Sequence, residues 1–384
     1  MFKKVVLPFI MMLCMIITLS GCQQDSAAIK IGLQGPMTGD YAYEGKGFEN
    51  AVRMLVEQTN AAGGIMGRQV ELIVEDDAGD PTQSALVAQR LVDAGVVAAI
   101  GAYNSTATEP ASEIYNEAGI LHITPSSTAV RLTEKGFPRF FRVCFLDDRQ
   151  GLFAAKFMQE VLGAQTIGVL HDNSTYAQGL AEETQHYAEE MGLSVNFYDA
   201  INPDDQDFTP ILTTIGAEDL DAIYFTGYHS QAGLLLKQAA DLGLEVEWVT
   251  GNASNNPVMV EIAGVENAMG VFITTEPLPK DLEYAEAQQF VADYEAKYNE
   301  EPASVWTIMA GEAFNVIRHA IEQTESTDSE VLANYLHNDA KDIQGLTGPI
   351  LGWDEKGDRL GTIHVAYVID AQGQFVLNQE QPSP

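Results

Sequence analysis

The chain has little cysteine and little positive charge, and both shortages narrow its function. Cys accounts for only 3 of 384 residues, and 20 Lys and Arg stand against 55 Asp and Glu, which gives a net charge of −35. An acidic surface of this kind repels phosphate backbones, so we expect no nucleic-acid partner. Cys144 lies in an apolar run and is left without a disulfide partner once Cys14 and Cys22 are assigned to the N-terminal segment, which predicts a buried thiol.

The motifs of common enzyme classes are also missing. The sequence has no G-x-S-x-G elbow, no H-E-x-x-H, no Walker loop and no G-x-G-x-x-G turn after a strand. Its seven His residues show no metal-ligand spacing. These absences favour a binding protein over an enzyme, and we expect neither a cofactor nor a metal site.

The N-terminal segment has the layout of an export signal. Lys3 and Lys4 precede an apolar stretch over 5–18, which is shorter than the roughly 20 apolar residues of a membrane span. Small residues then lead to Cys22 in the run LSGC. This run resembles the lipobox of bacterial lipoproteins, in which the residue matching Cys22 carries the lipid. The alternative is an ordinary signal peptide with an incidental cysteine.

Strand and helix signals alternate along the rest of the chain in two series. Strands that alternate with helices form parallel βαβ units, so two series of similar size predict two open α/β lobes. Asp80 followed by Pro81 predicts a capped helix up to Asp93. The predicted strands cover 29–33, 70–74, 96–100 and 120–123 in the first series, 166–170, 195–198, 222–225, 248–249 and 271–274 in the second, and 362–369 and 375–377 in the tail.

Four loops at the carboxyl ends of predicted strands carry hydroxyls, amides and tyrosines. Ligands of open α/β sheets bind beyond these ends, and a helix N-terminus with hydroxyl groups suits a carboxylate. Each loop taken singly is explained equally well by helix capping and turn chemistry. All four together favour a small polar ligand. The loops cover 101–106, 124–128, 171–176 and 226–229.

At these loops the chain closely resembles the leucine/isoleucine/valine-binding proteins of bacterial ABC transporters. The resemblance covers nearly the whole mature chain and is carried by the collinear stretches 63–80, 109–115, 119–125, 228–229 and 353–358. It implies two open parallel-sheet α/β lobes joined by three crossovers, the type I periplasmic-binding-protein fold, with the ligand trapped by hinge closure. We expect a signal peptide over 1–21, a lipid-anchored tether over 22–28, an N-terminal lobe over 29–146 plus 276–355, a C-terminal lobe over 147–275 plus 356–378, and a tail over 379–384.

The resemblance also implies which residues bind the ligand. By position, Ser105 and Thr128 hold a ligand carboxylate, while the Ser126 carbonyl and the Thr128 hydroxyl face an α-ammonium group. Tyr176 and Tyr228 close over the ligand from the second lobe. A zwitterion removed from water needs a partner of opposite charge or a hydrogen-bonding partner for each of its two charges. Loop neighbours complete this part of the predicted set: Tyr103, Asn104 and Ser127.

Two departures from the family pattern concern charge and cross-linking. Asn252 stands where the family has an acid that meets the ammonium group, and it joins the predicted ligand-binding set by position. A disulfide pair of the family falls on Gly79 and Asn104, which agrees with the scarcity of cysteine. The first departure leaves branched-chain specificity open.

A third departure concerns the side-chain pocket, where an aromatic residue of the family falls on Glu44. One interpretation is that Glu44 supplies the missing charge, to the ammonium group or to a polar side chain of the ligand. The other is that Glu44 points to solvent and Tyr43 turns inward. Both residues therefore belong to the predicted site.

The sequence thus predicts an extracytoplasmic solute-binding protein, anchored to the cell membrane by a lipid and facing the periplasm or the exterior. It captures an amino acid, branched-chain or related, and delivers it to the permease subunits of an ABC importer. The alternatives are a protein of the same fold that binds an amide, an aromatic acid or another small carboxylate and feeds a sensor, and, less expected, a secreted enzyme.

Overall fold

A computed structural model describes residues 27–302 and 304–383. The predicted signal peptide, the proposed lipid site Cys22 and most of the tether lie outside the described residues. Within the described chain, no helix is both long and apolar enough to cross a membrane.

The first sheet has five parallel strands in the order β2-β1-β3-β4-β5. Ile31 pairs with Leu72 of β2 on one side and with Ala98 of β3 on the other, so β1 lies between these two strands. The sequence predicted four of the strands and missed β5, which has three residues inside a longer apolar run. The strands are β1 (Ile29–Gly35), β2 (Val70–Asp76), β3 (Ala98–Ile100), β4 (Leu121–Thr124) and β5 (Phe140–Arg142).

The second sheet has seven strands in the order β14-β13-β10-β9-β8-β6-β7. Five are parallel, whereas β13 runs antiparallel to β10 and β14 runs antiparallel to β13. The two strands near the C-terminus, β13 and β14, therefore extend the second sheet. These strands are β6 (Thr166–His171), β7 (Ser194–Ala200), β8 (Ala222–Phe225), β9 (Glu247–Thr250), β10 (Phe272–Thr275), β13 (Val365–Ile369) and β14 (Phe375–Leu377), and a separate hairpin pairs β11 (Ile343–Gly345) with β12 (Gly348–Ile350).

Helices cover the faces of both sheets. The apolar stripe of the first helix is buried through Phe48 and Val52, and Asp80 caps the second by accepting from the Gln83 N–H (2.8 Å), as predicted. The α-helices are α1 (Ala42–Ala61), α2 (Pro81–Asp93), α3 (Ser105–Ala118), α4 (Arg131–Glu134), α5 (Asp147–Lys156), α6 (Thr175–Glu190), α7 (Thr209–Ile215), α8 (His229–Leu242), α9 (Pro257–Ala263), α10 (Val265–Ala268), α11 (Ala285–Tyr298), α12 (Val305–Thr324) and α13 (Ser329–Asn338). A π-helical turn follows α5 at Phe157–Val161, and 3₁₀ turns lie at Asn252–Ser254 and Pro279–Asp281.

The chain passes between the two sheets three times, in agreement with the predicted fold. It leaves the first sheet after β5, returns after β10 to place α12 and α13 against that sheet, and crosses again before β13. The domain boundaries stay predictions. The Arg142 N–H donates to the Gly357 carbonyl (3.1 Å), which favours a third crossover slightly later than residue 355.

The core runs through both lobes, and Cys144 belongs to it. The thiol is fully buried, and burial raises its pKa well above the usual range. The thiolate is the reactive form of cysteine, so this group is inert, as the sequence predicted.

Candidate functional site

The first wall of the candidate site is formed by the loops that follow β3 and β4. The Ser126 hydroxyl donates to the Tyr103 carbonyl (3.0 Å), and the Ala129 N–H donates to the hydroxyl of Ser105, the first residue of α3. The two loops are therefore tied to each other before any ligand is considered. Ser105 and Ser126 are both buried.

Two polar atoms of this wall have no partner in the described chain. The Thr128 hydroxyl oxygen and the Asn104 amide oxygen are both buried without a hydrogen bond. A buried polar group without a partner is costly, so such atoms mark places where a ligand or water binds. Ligand contact by Thr128 and Asn104 stays a prediction, which these two unpartnered oxygens favour.

Ser127, in contrast, supports the loop from behind. Its hydroxyl bonds to that of Thr108 (2.6 Å), and its carbonyl accepts from Nη1 of Arg142 (2.7 Å). Ser127 is fully buried inside the first lobe. The structure therefore favours a role in holding the loop over the direct contact that was predicted.

The second wall carries Tyr176, near the start of α6, and Tyr228, just before α8. The Tyr176 hydroxyl accepts from the Ala253 N–H (3.4 Å) and lies 2.5 Å from the position that a Cβ on Gly251 would take. A glycine at 251 therefore makes room for the ring. Both tyrosines are almost completely buried.

The two walls meet through their aromatic rings. The ring centroids of Tyr41 and Tyr228 are 4.8 Å apart, those of Tyr103 and Tyr228 6.0 Å, and those of Tyr176 and Tyr228 5.4 Å. Tyr41 and Tyr103 belong to the first lobe, while the other two belong to the second. Such tilted pairs contribute about 0.5–1.5 kcal/mol each beyond the area they bury. The structure is therefore that of a closed cleft.

A second contact between the lobes lies beside the rings. The Thr175 N–H donates to the Thr106 hydroxyl (3.1 Å), and Nη2 of Arg131 donates to the Thr175 hydroxyl (2.7 Å). These bonds join α3 and the neighbouring α4 of the first lobe to α6 of the second. They exist only when the lobes are together.

Glu44 points inward, which corrects one of the two interpretations of its position. Its side chain is 1% exposed, while that of Tyr43 is 38% exposed and lines an open groove of about 350 Å³. The expectation that Glu44 faces solvent and Tyr43 turns inward is therefore wrong. Helix α1 begins at Ala42, and each helical residue rotates the side chain by about 100°, which turns these neighbours to different sides. The ring that turns inward at this end of the helix is that of Tyr41, which packs on Tyr228.

The Glu44 carboxylate joins three elements. It accepts from Nδ2 of Asn256 (2.8 Å) in the second lobe and from the hydroxyl of Ser304, the N-cap of α12. Burial raises the pKa of Glu44 to about 7, against the opposing effect of these two bonds. Since both carboxylate oxygens have protein partners, the structure favours Glu44 as a contact between the lobes.

Asn252 is buried on the second wall next to an acid. Its Nδ2 lies 3.4 Å from Oε2 of Glu276, and its own Oδ1 has no partner among the described residues. Burial raises the pKa of Glu276 to about 7. Glu276 immediately follows β10, and the sequence did not single it out.

Gly79 and Asn104 are neighbours in space. A Cβ on Gly79 would lie 2.8 Å from Oδ1 of Asn104 and 2.7 Å from the Tyr41 ring. The two positions that match a disulfide in the resembling family are therefore adjacent here. Tyr41 and Asn104 occupy the space that a cross-link would need.

Asp147 is a buried acid next to the first wall that the sequence analysis did not single out. It is the first residue of α5, is fully buried, and has two carboxylate oxygens without a hydrogen-bond partner in the described chain. The adjacent pair Asp147 and Asp148 at a helix start was a signal, but it is equally typical of an exposed helix N-terminus. The residues that the structure describes contain no group of three or more His, Cys, Asp or Glu able to hold a metal ion.

Comparison with known proteins gives consistent relatives. A protein of Pseudomonas aeruginosa named for binding leucine, isoleucine, valine, threonine and alanine is 36% identical over 86% of this chain and 87% of its own length. A Leu/Ile/Val-binding protein of Escherichia coli is 34% identical over 87% of this chain and 88% of its own.

Solved structures show the same likeness. A leucine-binding protein of Thermotoga maritima has a TM-score of 0.86 and 29% identity, covering 93% of this chain and 99% of its own. A branched-chain amino acid transporter substrate-binding protein of Streptococcus pneumoniae, solved with isoleucine, has a TM-score of 0.82 and 29% identity, covering 91% and 98%. These relatives are binding proteins, which confirms the interpretation of the chain as a binding protein and not an enzyme.

The model of the family described as periplasmic binding protein matches residues 28–373. The match spans every strand of the two sheets except β14, all three passages between them and the loops of the candidate site. The chain therefore belongs to the periplasmic binding protein family.

Proposed function

We propose that this protein captures an aliphatic amino acid of the leucine, isoleucine and valine class between its lobes and delivers it to an ABC importer. The observation that carries the proposal is the convergence of hydroxyls of the first lobe and tyrosines of the second on one buried site. The names of the relatives support the ligand class, since they are binding proteins for leucine, isoleucine and valine.

The first wall suits the charged end of an amino acid. Ser105 offers its hydroxyl and an unbonded N–H at the start of α3, where the helix dipole favours a carboxylate. Thr128 has an unpartnered hydroxyl beside it, and with the Ser126 carbonyl it faces the α-ammonium group. The carboxylate and the ammonium group are thereby answered by different atoms of one wall.

The second wall suits closure and the aliphatic end. Tyr176 and Tyr228 approach from the second lobe, and the rings of Tyr41 and Tyr103 lie against Tyr228. Tyrosine rings give an apolar lining with polar tips. A ligand that contacts both walls stabilises the closed form because only that form offers both sets of contacts.

The proposal is tested by titration calorimetry with each of the twenty amino acids. Leucine, isoleucine or valine should bind, and the double substitution Ser105→Ala with Thr128→Val should abolish the signal. Ser112→Ala is the matched control, because Ser112 is a buried hydroxyl on the same helix that bonds only to the Glu109 carbonyl (2.8 Å). If no amino acid binds, or if the double variant binds like the wild type, the proposal fails. Amides and aromatic acids in the same screen test the alternative ligand classes.

We infer further that the mature chain is held at the cell membrane by a lipid on Cys22. The support is the run LSGC after a basic and apolar segment. Labelling of cells with radioactive palmitate should mark the wild type and leave Cys22→Ser unmarked and released. An unmarked wild type would leave an ordinary secreted form. Delivery to the permease is tested by leucine uptake in cells with and without this gene.

A further inference from the structure

The closed cleft contains a buried carboxylate that the proposed function has not used. Asp147 is 0% exposed, and neither of its oxygens has a hydrogen-bond partner within residues 27–302 and 304–383. A buried charge with no partner is costly, so it either takes up a proton or awaits a cation. The contacts of Asp147 indicate which cation it would bind.

Asp147 is joined to Thr128, the residue whose hydroxyl is proposed to face the ammonium group. Its N–H donates to the carbonyl of Thr128 (3.1 Å), so the two residues are joined through their backbones. The Thr128 hydroxyl lowers the pKa of Asp147 against the effect of burial. The charge of Asp147 in turn raises the pKa values of Tyr176 and Tyr228, the two tyrosines proposed to close over the ligand.

Two of the other buried acids around the cleft already have partners. Glu44 accepts from Asn256 and Ser304. Asp172 accepts from the N–H groups of Ser174 (3.0 Å) and Tyr228 (3.2 Å). Every carboxylate oxygen of these two acids therefore already has a protein partner.

The third acid, Glu276, is bound by Asn252 through one oxygen, and the charge of Arg359 lowers its pKa against the effect of burial. Arg142, whose charge lowers the pKa of Asp147, is paired elsewhere: its Nε lies 2.5 Å from a carboxylate oxygen of Asp358. Asp147 alone among these four acids combines full burial, a place beside Thr128 and two unpartnered oxygens.

We propose that the Asp147 carboxylate supplies the negative charge that answers the α-ammonium group of the ligand, with the Thr128 hydroxyl between them. The inference rests on the proposed function, because it requires a ligand with an amino group. It explains how Asn252 can stand where the resembling family has an acid. The charge is provided from the first crossover instead of from the loop after β9.

Ligand binding should then release a proton. Burial raises the pKa of Asp147 to about 8, helped by the charges of Asp148 and Glu183 and opposed by Thr128 and Arg142. The rings that face it are Tyr176, Tyr224 and Tyr228, whose own pKa values are raised and which stay neutral in this range. An ammonium group beside the carboxyl lowers its pKa, so the proton leaves when the ligand arrives. Affinity for leucine should therefore fall as the pH is lowered from 8 to 6.

The first measurement is calorimetry with L-leucine, L-isoleucine, L-valine and 4-methylpentanoate, which is leucine without its amino group. Asp147→Asn should weaken amino acid binding by about 30-fold or more, the usual consequence of removing one partner of a buried charge pair. Binding of 4-methylpentanoate should stay the same or improve. Asp148→Asn is the matched control, since it removes the neighbouring acid, whose side chain is 28% exposed, and should change neither ligand more than twofold.

The second measurement needs no variant. Titration of the wild type with L-leucine at pH 7 in two buffers of different ionisation enthalpy counts the protons released, and we expect a clear fraction of one proton that disappears in Asp147→Asn. A merely structural Asp147 would affect folding but neither the proton count nor the choice between leucine and 4-methylpentanoate. If the wild type binds leucine without releasing protons and Asp147→Asn binds it equally well, this inference is overturned while the proposed function stands. If the wild type binds none of the three amino acids, the proposed function fails as well.

Discussion

The first-lobe wall of the cleft is made of short hydroxyl side chains on two loops that bond to each other, whereas the second-lobe wall is made of large rings that pack across the cleft. Ser126 ties its loop to Tyr103 within the first lobe. Tyr228 of the second lobe packs on Tyr41 and Tyr103 of the first. The difference teaches that the first wall is organised by its own lobe before a ligand arrives, while the second wall gains its contacts with the first lobe only on closure.

The largest effect that would break this comparison is expected at Gly251. A Cβ there would lie 2.5 Å from the Tyr176 hydroxyl and 2.9 Å from Leu180, so Gly251→Ala must displace the ring. We expect at least a tenfold loss of leucine affinity with faster release, since the second wall can no longer close correctly. Gly216→Ala is the control, because a Cβ there meets only ordinary contacts of 3.4 Å or more. Stopped-flow release and calorimetry measure both variants, and unchanged affinity in Gly251→Ala would remove the second wall from ligand binding.

Two substitutions at Glu44 separate the effect of its charge from the effect of its hydrogen bonds in the contact between the lobes. Glu44→Ala removes both bonds, and at about 1 kcal/mol per bond it should weaken leucine binding by roughly fivefold to thirtyfold. Glu44→Gln keeps an acceptor and a donor for Asn256 and Ser304, so we expect a change within about twofold. A large loss in Glu44→Gln would instead mean that the ligand needs this charge.

The same residue gives a pH dependence of stability. Burial raises the pKa of Glu44 to about 7, above the ordinary value of 4.5, so the folded protein binds an extra proton between these values. The contribution of Glu44 to the free energy of unfolding therefore increases as the pH falls from about 7 towards 4.5. The same contribution is lost as the pH rises through this window. The melting temperature of the wild type should be higher at pH 5.5 than at pH 8, and Glu44→Gln should show a smaller difference. Equal differences in the two proteins would contradict the assignment.

A smaller effect is expected where α3 meets α6. Thr106→Val removes the hydroxyl that accepts from the Thr175 N–H (3.1 Å), which should weaken leucine binding by about fivefold through the closed form alone. Thr106→Ser keeps the hydroxyl and should restore wild-type affinity. If both variants bind like the wild type, this contact does not contribute to closure.

The smallest effect on binding is expected at the N-cap of α2. Asp80→Ala removes this cap and should lower the free energy of unfolding by about 1 kcal/mol. Leucine affinity should not change, because the Asp80 side chain caps α2 and no residue of that helix belongs to the predicted ligand-binding set. Denaturant unfolding and calorimetry together measure the two quantities, and a loss of affinity would show that the first lobe transmits changes to its wall.

The sequence could predict those parts that depend on local pattern. The strands that precede the loops and the cap at Asp80 follow from periodicity and capping, and the hydroxyl-rich loops follow from the positions of strand ends. The choice of Ser105 and Thr128 within those loops came from the family resemblance. Strand β5 was missed because its three residues, Phe140 to Arg142, lie within a longer apolar run and show no alternation. Ser127 could not be told from Ser126, because which hydroxyl turns inward depends on Thr108 and Arg142 behind the loop.

The rest of the site depends on how the lobes meet. Glu44 is separated by 212 residues from Asn256 and by 260 from Ser304, so no local pattern could show that its carboxylate is buried between them. Asp147 has the sequence pattern of an exposed helix start, and its burial depends on how α5 packs against α6 and on its bond to Thr128 of the first lobe. Burial of a charge across an interface is a tertiary property, and a single sequence does not contain it in readable form.

The Glu44 contact also has a consequence for chimeric proteins. Its three members come from the start of α1, the start of α9 and the start of α12, which belong to different lobes or different passes of the chain. A hybrid that takes one lobe from a relative would leave this carboxylate facing a foreign neighbour in a dry environment. Swaps designed to transfer ligand preference should therefore move Glu44, Asn256 and Ser304 together as a set.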